Sequence, residues 1–302
     1  NIDYKTSMNL SGVTLKKGAL IVAPVGEAFK SITIDSGAIM AYNCVVKGDK
    51  PSSFVGLLDD DNYPNARAAY SLRKLRAAYT GAAIRIRVDT TGNPPYDIGF
   101  NENGGLDTAD LLSKAAGNSA YIDTWYDQSG EGNDVTQTDA SKQPKIVNSG
   151  ATILKNGLPA VEFNGSSTEF DTISFFDNRN YNVISVGSIN GNDDIMYCFG
   201  GIVSGIKTFG TSLNSVNTIG TRYGSSFLSQ DYTLGEQVLS FNSYAFSAYE
   251  PYINSLQSTN TTPAFRGGSA AFRIGSVGNV VFYLDGTIQE FIVYESNQLP
   301  NR

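Results

Sequence analysis

Short runs of β-branched and aromatic residues recur along the chain, separated by glycine-bearing turns. The runs at 31–34, 83–88, 160–163, 183–189 and 288–294 have the length and composition of strands. Among the turn signals are Asn156-Gly157, Asn164-Gly165, Asn190-Gly191 and Asp285-Gly286. Both central residues of a type I′ turn need positive φ. Asn or Asp followed by Gly tolerates this, so each dipeptide predicts a hairpin. Many short strands with such turns pack as two antiparallel sheets, and an all-β sandwich is expected. No strict repeat of about 20–50 residues interrupts that reading.

Two segments break the pattern. Over 65–79, Ala68, Leu72, Leu75 and Tyr79 fall at i, i+4, i+7 and i+11, with Pro64 just before. This spacing predicts an amphipathic helix. Its other face would carry Arg67, Arg73, Lys74 and Arg76, which we read as a solvated face paired with Asp59, Asp60 and Asp61. A nucleic-acid surface is the competing reading of those cations. A second helix is expected over 107–116, with Asp107 as N-cap, Asp110 at N3 and Gly117 as the left-handed stop.

Residues 1–52 differ from the rest. Val13-Thr14-Leu15 and the 31–34 run look like short strands, yet the only aromatics are Tyr4, Phe29 and Tyr42. That is thin for a separate core. Two readings stay open: a small β appendage that attaches to a partner, or extra strands of the main sandwich. The expected division is 1–52 for attachment or assembly and 53–302 for the sandwich. A chain that begins at Asn1 rather than Met, with no signal-peptide pattern, is expected to be a processed or trimmed product.

Composition narrows the chemistry. There is no histidine among the 302 residues, which removes Ser-His-Asp triads, Cys-His nucleophiles and His-ligated zinc. Cys44 and Cys198 are too few for an all-cysteine zinc site or a disulfide framework. A net charge of -7 argues against phosphate-backbone binding, so no nucleic-acid partner is expected. No apolar run reaches the roughly 18 residues of a membrane span.

Several motifs carry a resemblance. They are Leu57-Leu58-Asp59-Asp60, the 66–87 stretch ARAAYSLRKLRAAYTGAAIRIR, Asp97-Ile98-Gly99-Phe100 and Leu106-Asp107-Thr108-Ala109. Trp125-Tyr126-Asp127-Gln128-Ser129-Gly130-Glu131-Gly132-Asn133-Asp134 follows, then Gln143-Pro144 and the 156–163 stretch NGLPAVEF. Together they resemble the catalytic domain of the α-L-arabinofuranosidase B family of fungi and bacteria, over about residues 57–165. The 283–294 stretch is similar to the last strand of laminin-G-like and concanavalin-like domains. The resemblance implies a concanavalin-like jelly-roll β-sandwich, here with two short helices and the N-terminal β appendage. Domains of this kind also occur in bacteriophage structural proteins, as fibre, tail or head-decoration modules, which implies a virion setting.

The family's hydrolysis needs a nucleophile and an acid/base carboxylate. In the family, the nucleophile Glu lies two residues after an Asp on a mid-domain strand. The acid/base Asp follows a Leu-Gly-Ile-Gly-Gly-like turn. Here 195–230 and 251–284 contain no Asp or Glu. The match to the turn, Ile274-Gly275-Ser276-Val277-Gly278-Asn279, puts an amide at the carboxylate position, and an amide is no general acid. The family's vicinal cysteines also fail, because Tyr197 stands before Cys198. Asp193 with Asp194, Asp231 with Glu236, and Asp285 with Glu290 are the replacement pairs to consider; turn, cap or solvated-face roles are the plainer reading of each.

No catalytic residue is therefore assigned. Tyr126, Tyr223, Tyr244, Tyr249 and Tyr252 are the candidate carbohydrate-binding aromatics, against a core or rim role for each. Asp127, Ser129, Glu131 and Asn133 alternate oxygen ligands in a Gly-rich loop and are candidates for Ca²⁺, the one cofactor considered, against a structural turn held by local hydrogen bonds. The leading expectation is a non-enzymatic virion-type structural module, at the virion surface or extracellular. It would assemble with itself, as a trimer for example, or with other virion proteins, and would bind glycans. The alternatives are an active α-L-arabinofuranosidase-type glycoside hydrolase and a secreted bacterial carbohydrate-binding protein.

Overall fold

The computed structural model describes residues 54–60, 65–92, 94–171, 181–190, 272–276 and 283–295, together with the backbone of the strands between 196 and 257. The chain divides into the units Asn1–Phe54 and Val55–Arg302, and the fold below is that of the second. The expectations for 1–52 lie outside the described residues.

The C-terminal strand Asp285–Tyr294 is the spine, buried along nearly its whole length. Tyr181–Ile189 pairs along one edge, and Ala66–Ser71 and Val161–Asn164 pair end to end along the other. The series continues from Tyr181–Ile189 through Val238–Tyr244 and Tyr249–Ile253 to Leu256–Gln257. A second series starts with Tyr96–Ile98, Ile84–Val88 and Ala120–Trp125. It passes through Val135–Thr136 to Phe170–Asp171, Phe272–Ile274, Phe199–Val203, Ile206–Ser215, Thr218–Tyr223 and Ser226–Asp231. All these pairs are antiparallel, and Lys145–Asn148 links the series through Glu162↔Lys145.

Aromatic side chains from both series fill the space between them. Tyr70 lies 6.1 Å from Trp125 and 6.3 Å from Phe291, and Trp125 lies 6.1 Å from Phe170. Tilted and offset contacts at these spacings suit aromatic quadrupoles. A smaller cluster of Leu58, Ala66, Ala69, Leu75, Ile292 and Tyr294 forms on the other side of the spine. The expected all-β, jelly-roll-like sandwich is thus present.

Three elements differ from the expectations drawn from the sequence. First, the helix expected over 65–79 is absent: Ala66–Ser71 is a strand. It is in register with the spine from Ala66↔Tyr294 to Ser71↔Glu290. Pairing with so distant a partner, and burial on both faces, outweighs the helical preference of Ala, Arg and Leu. Two of the cations there pair with glutamates. Arg67 reaches Glu131 at 3.4 Å and Glu295 at 3.0 Å, and Arg73 Nε reaches Glu290 at 2.8 Å. Asp59 instead accepts from the Gly56 and Ala77 amides, both at 2.7 Å.

Second, Asp285-Gly286 is no turn. Gly286 sits within the spine strand, where an added Cβ would lie 2.0 Å from the Ser188 carbonyl oxygen. Third, the left-handed stop of the helix begins one residue early. The helix Thr108–Ala115 has its N-cap at Asp107, whose side chain accepts from the Asp110 amide at 3.0 Å. Ala116 is already left-handed at φ 47, ahead of Gly117 at φ 83. It is the one α-helix among the described residues. Asn156-Gly157 does form the expected tight hairpin, at φ 51 and 77 between Leu154–Lys155 and Leu158–Pro159.

Candidate functional site

The 125–134 loop leaves the strand Ala120–Trp125, and its anchor is Trp125, fully buried in the core. The loop folds around Asp127. Oδ1 accepts from the Ala69 and Ser129 amides, each at 2.8 Å. Oδ2 accepts from Ser129 Oγ at 2.6 Å and from the Asn133 amide at 2.9 Å. One carboxylate thus satisfies donors from the loop and from the strand Ala66–Ser71. Gln128, fully buried, extends the pattern: its side-chain oxygen accepts from the Leu75 amide at 2.7 Å, and its Nε2 donates to the Ser71 and Arg73 carbonyls.

The four metal candidates are brought into one loop but face other partners. Asn133 Nδ2 donates to the Arg67 carbonyl at 2.7 Å, and Glu131 pairs with Arg67. A cation here would have to displace the donors on Asp127. Among the described residues no group of three or more His, Cys, Asp or Glu is placed to hold a metal.

Tyr126 stands on the solvent side of the same turn. Its hydroxyl donates to Asp97 Oδ1 at 2.7 Å. Asp97 is the register partner of Arg85, and Arg85 Nε donates to Asp123 Oδ1 at 2.7 Å. The hydrogen bond to Asp123 is the main reason the Arg85 guanidinium is held still more firmly in its charged form. Burial first, and then the bond to Asp97, push the Tyr126 phenol well above its ordinary value. Nearby Tyr79 is pushed up to about 12 by burial, with Asp134, Asp127 and Asp97 adding to it.

The sequence reading missed Asp97, Arg85 and Asp123 as members of this cluster. A signal was present: Arg85 and Arg87 alternate with the buried Ile84, Ile86 and Val88, which marks one face of the strand as polar.

The other candidate tyrosines lie elsewhere in the strand order. Tyr223 ends Thr218–Tyr223, Tyr244 ends Val238–Tyr244, and Tyr249 and Tyr252 belong to Tyr249–Ile253. Tyr244 and Tyr249 are register partners; the side chains of these four lie outside the described residues. So do Asp193, Asp194 and Glu236 of the replacement pairs.

Two buried carboxylates have defined partners. Glu290 accepts from Ser71 Oγ at 2.9 Å and, through both oxygens, from Arg73 at 2.8 and 3.0 Å. Glu169, with a fully buried side chain, accepts from Ser276 Oγ at 2.6 Å, Arg273 at 2.9 Å and Lys142 at 3.2 Å. Each joins distant strands, as a satisfied buried charge does.

No family model matches the chain, and no curated protein matches it. Solved structures do. An arabinofuranosidase complexed with arabinofuranosyl-α-1,2-xylobiose matches with a TM-score of 0.62 and 18% identity, over 78% of this chain and 61% of that one. A mutant of a GH54 α-L-arabinofuranosidase soaked with 4-nitrophenyl α-L-arabinofuranoside matches with a TM-score of 0.61 and 18% identity, over 76% of this chain and 60% of that one. The chain therefore spans about three fifths of the length of these enzymes. At this identity the likeness concerns the fold, and the fold of this chain is an arabinofuranosidase-like β-sandwich.

Proposed function

We propose that the chain is a non-enzymatic glycan-binding module of virion type, carried at a virion surface or outside the cell. The observation that carries the non-enzymatic part is the absence of Asp and Glu from 195–230 and 251–284. A glycosidase of the resembled type needs two carboxylates across the scissile bond. Three buried carboxylates among the described residues, Asp127, Glu169 and Glu290, are committed to structural donors. The likeness in fold to an arabinofuranosidase complexed with arabinofuranosyl-α-1,2-xylobiose supports glycan binding. The virion setting and self-assembly through residues 1–52 rest on the sequence resemblance alone.

The second reading, an active α-L-arabinofuranosidase, is favoured by the same fold likeness. Incubation with 4-nitrophenyl α-L-arabinofuranoside separates the two. The proposal expects no release of nitrophenol above the uncatalysed rate. Release that disappears on replacing a single acidic residue contradicts it.

A further inference from the structure

Four tyrosines among the described residues, Tyr79, Tyr96, Tyr121 and Tyr126, are partly open to solvent near the first strands of the second series. Three have their rings engaged. Tyr79 meets Phe100 edge-on at 6.3 Å. Lys114 Nζ lies 5.3 Å from the centre of the Tyr96 ring. Tyr121 has Arg87 at 4.8 Å and Lys145 at 5.7 Å. The Tyr126 ring has no such aromatic or cationic contact among the described residues, yet its hydroxyl is fixed by Asp97. It is an oriented aromatic, partly open to solvent.

The polar groups beside it are half used. Asp97, exposed, commits Oδ1 to Tyr126, and Oδ2 has no protein donor among the described residues. Arg85 commits Nε to Asp123, and its two Nη groups have no acceptor among the described residues, with 41% of the side chain exposed. An available acceptor and a pair of available donors thus stand on register-paired residues next to a partly open ring.

We propose that Tyr126, Asp97 and Arg85 form a binding site for a neutral sugar with vicinal hydroxyls. One hydroxyl donates to Asp97 Oδ2, the adjacent one accepts from an Arg85 Nη group, and the apolar face of the ring stacks on Tyr126. This rests on the glycan-binding reading above and goes beyond it by naming the site and the class of sugar. Neutrality follows from the charges: among the described residues around the Tyr126 phenol, one cation, Arg85, stands with three carboxylates, Asp123, Asp97 and Asp134. Like charge disfavours a sialic acid or uronic acid there.

The test uses the full chain on an array of neutral and anionic oligosaccharides, alongside Tyr126→Ala, Asp97→Asn and Tyr121→Ala. The melting temperature of each variant is checked. Binding of neutral glycans is expected, reduced about tenfold or more by Tyr126→Ala and clearly by Asp97→Asn. Tyr121→Ala, whose ring is covered by cations, should bind as the parent does. If Tyr126→Ala does not fold, Asp97→Asn decides. Glycan binding unchanged in both site variants overturns this site and leaves the glycan-binding reading standing. Preference for anionic glycans overturns the site's chemistry. No glycan bound by the parent overturns both.

Discussion

Asp127 has both carboxylate oxygens committed to donors from two parts of the chain, the loop itself and the Ala69 amide. Removing it strands those donors in a buried place. Asp127→Ala should lower stability by about 1–3 kcal/mol in a denaturant titration. EDTA should leave the melting temperature of the parent unchanged, because the loop is held by protein donors. A melting temperature that falls with EDTA, and no longer does so in Asp127→Ala, would make the loop a metal site. Tyr79 supplies a pH signature. Its phenol titrates near 12 in the folded chain against an ordinary 10.0. The unfolded chain therefore loses this proton first as pH rises. The stabilisation is complete below about pH 10 and is lost as pH climbs towards 12. Tyr79→Phe should flatten the fall in melting temperature across that window. The residue types of the site were readable from sequence only in part. Tyr126 stood out as an aromatic in a turn-rich motif. Its partners Asp97 and Arg85 did not, since register pairing between separate strands brings them together.

At the level of elements, the signals that are local in sequence held and those that depend on distant pairing failed. Asn156-Gly157 needs only its own backbone to make a tight turn, and it makes one. Asp107 caps its helix through a contact three residues away. The 66–71 segment has helix-forming residues at helical spacing, but its partner lies at 290–294, and no local rule reveals that pairing. Gly286 failed as a turn signal for a related reason: its small size serves a close approach to Ser188 from another strand. Gly286→Ala should therefore destabilise the chain by about 1–3 kcal/mol, the usual range for overpacking, because backbone must move to admit the methyl group. Chemical denaturation checks this; unchanged stability would mean that the two strands lie farther apart.

For the whole molecule, the sandwich was legible from the repeated strand-and-turn pattern, whereas the strand order was not. The spine is the last of the described strands and joins 66–71, 161–164 and 181–189, so the core closes only when 285–294 is in place. The strands of the second unit supply their own aromatic core. A chain of residues 55–302 should accordingly purify as a folded monomer with a cooperative melt, and aggregated product would show that 1–54 belongs to that core. The central claim, a sandwich that holds a glycan without cutting it, is tested most directly by recovering neutral oligosaccharides retained on the immobilised full chain and measuring their masses. Retained glycans of unchanged mass are predicted. Shortened products formed over time, or no retention at all, would contradict it.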